Sequence, residues 1–202
     1  MTSLATLVLL LALAVAPTAR AGQPAGQTLT PPPPSFETCK SVGNGTICEG
    51  ARPEAYGPID TGIVCGSGSG SFDIFDRGAF RQHAIRYYNA NGDLMRRVIH
   101  EEYSLGQFSN PLTGTVVPYN QTDTISDVLA VPGDLGSATE TTIGENIYRP
   151  AHGAPVFVNA GRTVFALDGT LEFRAGPQSF LDYFVDGDTA AIDALCSALR
   201  AA

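Results

Sequence analysis

Along the chain, apolar and polar positions change their pattern several times before a regular one sets in. Leu4 to Ala16 is an uncharged apolar run. It is shorter than the roughly 20 residues a helix needs to cross a bilayer. With the small-x-small triplet Ala19-Arg20-Ala21, it predicts a signal peptide over residues 1–21, cut after Ala21. Gly22 to Ser35, with Pro31-Pro32-Pro33-Pro34, predicts a polyproline-like or disordered lead. Phe36 to Gly62 shows no clear period, and the Gly-Ser run Gly66 to Ser71 reads as a flexible turn. From there on, strand patterns follow one another to about residue 184.

The first strand pattern is short, Phe72 to Phe75. Phe80 to Tyr88 and Leu94 to Tyr103 then flank Asn89-Ala90-Asn91-Gly92, a hairpin signal. Asn110 to Gly114 is a second turn, and Thr122 to Val131 ends at Pro132-Gly133-Asp134. Thr139 to Tyr148 and Val156 to Asn159 come next, and Thr163 to Leu167 and Thr170 to Phe173 close around Asp168-Gly169. In that last hairpin, two-residue alternation places Val164, Ala166, Leu171 and Phe173 on one face, predicted as core. Thr163, Phe165, Glu172 and Arg174 take the other. A helix starting near Asp188 or Thr189 buries Ile192, Leu195, Cys196 and Leu199 at helical spacing. The pattern predicts a mainly β domain over residues 36–202, an antiparallel meander of about eight strands with a short C-terminal helix. Closure into a barrel removes the exposed edges, and a two-sheet sandwich is the competing arrangement.

Composition narrows the function classes. Twelve basic against 20 acidic residues give a net charge of −8, which argues against general binding to nucleic acid or to an anionic membrane. No membrane insertion is expected once the leader is removed. Five arginines, Arg77, Arg81, Arg86, Arg96 and Arg97, crowd one hairpin and read as a solvated face. The four cysteines, Cys39, Cys48, Cys65 and Cys196, predict two disulfides in an exported, extracellular chain, and three pairings are open. Cys39 and Cys48 bracket a loop short enough to close on itself, which leaves Cys65 for Cys196. No CxxC or HxxxH spacing supports a metal, and no cofactor motif is present. Ten Phe and seven Tyr predict a core, with Phe80, Phe157, Phe165, Phe173, Phe180 and Phe184 enough for a small barrel interior.

The candidate chemistry sits on the hairpin. A two-residue Asn91-Gly92 turn sets His83 opposite His100, Arg81 opposite Glu102 and Tyr87 opposite Arg96, a patch able to do acid–base work if it faces inward. A three-residue loop with a glycine bulge shifts the register and separates the histidines. His100 and Glu102 could bind a metal only with a third ligand such as Asp123 or Asp127, and no metal is predicted. Glu140 and Glu145 fall on opposite faces. Gly66-Ser67-Gly68-Ser69-Gly70 lacks the strand-to-helix setting of a nucleophile elbow. Asn44-Gly45-Thr46 and Asn120-Gln121-Thr122 fit the glycosylation sequon.

Cys65-Gly66, the turn Phe108 to Gly114, the run Gly161-Arg162-Thr163-Val164-Phe165 leading into Asp168-Gly169-Thr170, and the late Cys196 form a set. In it the chain resembles secreted, uncharacterised bacterial proteins with a lipocalin-like or allene-oxide-cyclase-like barrel. The resemblance runs from about Gly62 to Leu199. It implies the barrel and brings no activity with it. The expectation is a secreted, non-enzymatic barrel that binds a small apolar or amphipathic molecule. An isomerase or cyclase of the allene-oxide-cyclase or dirigent kind, using His83, His100, Arg81 and Glu102, is the alternative, and an extracellular interaction or structural module is the third.

Overall fold

A computed structural model describes residues 27–149 and 156–200, and the expected signal peptide lies outside them. The strands are β1 (Thr38–Val42), β2 (Gly45–Cys65), β3 (Phe72–Tyr88), β4 (Leu94–Ser109), β5 (Val116–Leu129), β6 (Ala138–Tyr148), β7 (Phe157–Phe165) and β8 (Leu171–Ala175). They form one eight-stranded sheet in chain order, and every neighbouring pair is antiparallel. Two helices follow, α1 (Ser179–Asp186) and α2 (Ala190–Arg200). The meander is as expected.

The barrel is not. Among the described residues β8 does not pair with β1, so the sheet stays open. Both edge strands are five residues long, too short to seal the edges beside them. Past β1, the free edge of β2 carries Pro53 and Pro58, which offer no N–H to a partner. On the other side Ala160 N–H donates to Pro177 O at 2.8 Å, and Asn159 bridges Gln178, so the return chain covers the β7 edge.

β1 and most of β2 come from the stretch without a visible period. The reason lies in which faces are dry. Arg52 and Glu54 stand on the inner face of β2, while Ala55, Ile59 and Val64 are exposed, so apolar and polar no longer track inside and outside. The described part of the proline-rich lead is laid against the sheet instead of free. Leu29 is buried, Thr30 N–H donates to Gly92 O at 2.8 Å, and Tyr88 O–H donates to Pro31 O at 2.9 Å.

Two small cores occupy the ends of the inner face. At one end Ile63, Phe72, Ile74, Phe108, Val117, Tyr119 and Tyr148 receive the buried stripe of α2, Ile192, Leu195, Cys196 and Leu199. That stripe is the predicted one, and α2 starts where Asp188 Oδ1 accepts from Ala190 N–H at 2.9 Å. At the other end Leu29, Cys48, Tyr88, Leu94 and Leu129 pack together. The disulfides pair Cys39 with Cys48 and Cys65 with Cys196. The first crosslinks opposite positions of β1 and β2, and the second pins α2 to the end of β2.

The last hairpin faces the other way from expectation. Thr163 is buried, whereas Phe173 is 47% exposed and lies on the outer face with Arg162 5.5 Å over its ring. A register shift between Val164 and Phe165 loops out one residue of β8, which breaks the alternation assumed for a two-residue turn. Phe184, also expected inside, is 65% exposed on α1.

Candidate functional site

The middle of the inner face is where polar groups collect. Four positions on neighbouring strands line up there, Tyr56 on β2, Gly78 on β3, Gly106 on β4 and Tyr119 on β5. A Cβ at Gly78 would stand 2.5 Å from the Tyr56 ring, and one at Gly106 would overlap the Tyr119 ring. The two missing side chains therefore let both tyrosines lie flat across the sheet. Their hydroxyls meet at 2.8 Å, and each is 2.9 Å from an oxygen of Asp76 on β3. Burial pushes the Asp76 carboxyl and the Tyr56 and Tyr119 phenols above their ordinary ranges.

Beside this trio Phe80 and Tyr103, opposite each other on β3 and β4, stack with centroids 4.8 Å apart. Tyr56 meets both rings edge-on, at 6.4 and 6.5 Å. The next positions along the strands are charged or amide. Arg52, Gln82, Glu101 and Asp123 follow one another from β2 to β5, and Gly144 and Gly161 continue the row on β6 and β7. Arg52 is taken up by Glu54. Glu101 and Asp123 stay without an ion pair among the described residues, and burial raises both carboxyls above the usual carboxylate range.

Asp123 leans over Gly144, where a Cβ would collide with its carboxylate, and accepts a hydrogen bond from Gln121 Nε2. It opens onto a cavity of about 120 Å³, lined also by Thr142, Asn146, Asn159, Thr163 and Gln178. The Asn146 Oδ1 acceptor is buried without a partner. A space lined by a carboxylate and a spare carbonyl suits a group that donates hydrogen bonds, above all a cationic one.

The sequence-predicted residues lie on the opposite face. His83 pairs with His100, Arg81 with Glu102 and Tyr87 with Arg96, the register a two-residue turn predicts. The turn itself is longer: Asn89 N–H donates to Asp93 O at 2.9 Å, and an extra β4 residue, Met95, restores the register before Arg96. The histidines do not act together. His83 Nε2 lies 3.1 Å from Glu49 Oε1, and His100 Nδ1 lies 3.1 Å from Thr124 Oγ1. Arg81 and His83 border an outer groove of about 420 Å³ with Lys40 and Glu49. Glu102 is exposed and forms no ion pair with Arg81 among the described residues. Asp123 and Asp127 face inward, away from His100, so neither completes a metal trio with it, and Asp127 pairs with Arg97 at 2.6 Å.

The inner-face residues were missed because Gly78 and Gly106 fall in gaps between the expected strand segments, where a glycine reads as a break. Gly144, inside the expected Thr139 to Tyr148 strand, is the one signal there that another group crosses the backbone closely. Compared with protein-family models, curated proteins and solved structures, the chain matches none.

Proposed function

We propose that this chain is an exported, non-enzymatic binding module that holds a small amphipathic cation on the inner face of its sheet. The observation that carries this reading is the acceptor-rich cavity at Asp123, with the unpartnered Asn146 Oδ1, next to the aromatic surface of Phe80, Tyr103 and Tyr56. The ligand's ammonium or guanidinium group enters the cavity and its apolar part lies on the rings. A cation there also relieves the crowding of Glu101 and Asp123, which oppose each other across β4 and β5.

Two disulfides favour an oxidising compartment, and the apolar leader supports export. The resemblance to secreted bacterial barrel proteins supports the same location and adds no activity. A wholly apolar ligand in a closed lumen has less to recommend it, since both ends of the inner face are filled by side chains and the middle is polar. The isomerase or cyclase reading lacks support from His83, His100, Arg81 and Glu102, because these stand on the outer face.

The test is calorimetric titration with an alkylammonium and an alkyl carboxylate of equal chain length, both below their micellar concentrations. The ammonium binds and the carboxylate does not. Asp123→Asn weakens ammonium binding by about tenfold or more, as loss of a charge-assisted bond worth roughly 1.5–3 kcal/mol requires. Equal binding of both probes, or an unchanged Asp123→Asn variant, overturns the reading.

A further inference from the structure

Three close oxygen–oxygen contacts join Tyr56, Asp76 and Tyr119. Tyr56 Oη lies 2.9 Å from Asp76 Oδ2, Tyr119 Oη lies 2.9 Å from Asp76 Oδ1, and the two phenolic oxygens are 2.8 Å apart. Each hydrogen bond needs its own proton between the oxygens. The two phenols supply two. An ionised carboxylate supplies none, which would leave one contact as lone pair against lone pair.

The neutral acid supplies the third proton, and the bonds then run head to tail. Asp76 Oδ2–H donates to Tyr56 Oη, Tyr56 O–H donates to Tyr119 Oη, and Tyr119 O–H donates to Asp76 Oδ1. We propose that Asp76 is held as the neutral acid in this three-proton ring, and that the ring is a pH-sensitive clasp fastening β2 to β5 across the inner face.

The surroundings agree. No cation forms an ion pair with Asp76 among the described residues. β2 presents Tyr56, β4 presents Phe108 and Tyr103, β5 presents Tyr119, and β6 presents Tyr148. From the helices, Tyr183 packs on the same core, while Arg200 lies over Phe72 at 5.7 Å. Burial disfavours the carboxylate further.

The clasp matters because of where β2 is weak. Its pairing with β3 breaks register between Tyr56 and Ile59 and again between Asp60 and Val64. Between Tyr56 and the disulfide at Cys65, the side-chain tie to β3 is Thr61 Oγ1, which donates to Ile74 O at 2.8 Å. When Asp76 gives up its proton, the tyrosine pair loses one of its bonds and this part of the edge strand is released.

The experiment follows the Asp76 side-chain carboxyl carbon by NMR across pH in the folded protein, together with amide exchange of residues 50–62 corrected for the chemical rate. Asp76 titrates above the ordinary carboxylate range, and exchange of that stretch rises through the same midpoint. Asp76→Asn, whose amide keeps all three bonds, removes the rise. An Asp76 midpoint in or below the ordinary range overturns the proposal, as does exchange that is equal on both sides of the midpoint. If Asp76→Asn does not fold, the wild-type titration and exchange decide alone.

Discussion

Gly106 and Gly70 differ in what an added methyl group would meet. At Gly106 it would overlap the Tyr119 ring, which is fixed between Phe108 and Tyr148, whereas at Gly70 it meets nothing within 4 Å. Neither glycine has a positive φ, so the contrast is one of space alone. Gly106→Ala is expected to lose about 1–3 kcal/mol of stability, the usual cost of overpacking, and Gly70→Ala to stay near wild type in urea denaturation. Equal midpoints would mean that Tyr119 turns aside without cost, and that the inner face is looser than its contacts imply. Gly78 and Gly106 are interior to β3 and β4, but in the sequence they fall between the expected strand segments and read as breaks. Their partner Tyr56 was not visible either, because it lies in a stretch where polar inward positions hide the period. A glycine announces a crossing only once the register places it inside a strand.

At the scale of elements, the two disulfides do different work. Cys39–Cys48 closes a separation of nine residues inside a hairpin, and Cys65–Cys196 closes one of 131 between β2 and α2. In the chain-entropy picture the short loop contributes about 3 kcal/mol and the long one about 5 kcal/mol. The double variant Cys65→Ala/Cys196→Ala should therefore unfold at clearly lower denaturant than Cys39→Ala/Cys48→Ala. The reverse order would show that the α2 stripe holds itself against the sheet without the crosslink. Element-level features were the most legible part of the sequence: the α2 stripe and the Asn110 turn follow from spacing. The His83–His100 pairing, by contrast, was one of two registers the sequence left open and rests on the extra residue Met95. Which face a strand turns inward was less legible. Phe173 keeps Val164 as its partner, as a two-residue turn predicts, but that face is the outer one. The outer position of Phe173, His83 and His100 depends on sheet curvature that alternation does not encode.

For the whole molecule, the consequence is an unusual direction of pH dependence. Asp76, Glu101 and Asp123 are all raised by burial, and Glu37 is raised by burial against the pull of Arg86, its partner at 2.9 Å. A carboxyl raised in the folded state binds its proton more tightly there than in the unfolded chain. Its contribution is complete below the unfolded value of about 4 and is lost as pH rises through the folded value. Asp168 is lowered by its hydrogen bonds to Thr170 and runs the other way, but it is fully exposed and screened by solvent. The net charge of −8 adds in the same sense as the buried acids, since self-repulsion fades as pH falls toward the pI near 4.7. Urea midpoints should rise as pH is lowered from about 8 toward 5, where most proteins are level or begin to weaken. The triple variant Asp76→Asn/Glu101→Gln/Asp123→Asn should flatten that rise to what net charge alone supplies. A midpoint that falls on acidification would mean the inner face holds its carboxylates ionised, which the cation-binding cavity accommodates and the three-proton clasp at Asp76 does not.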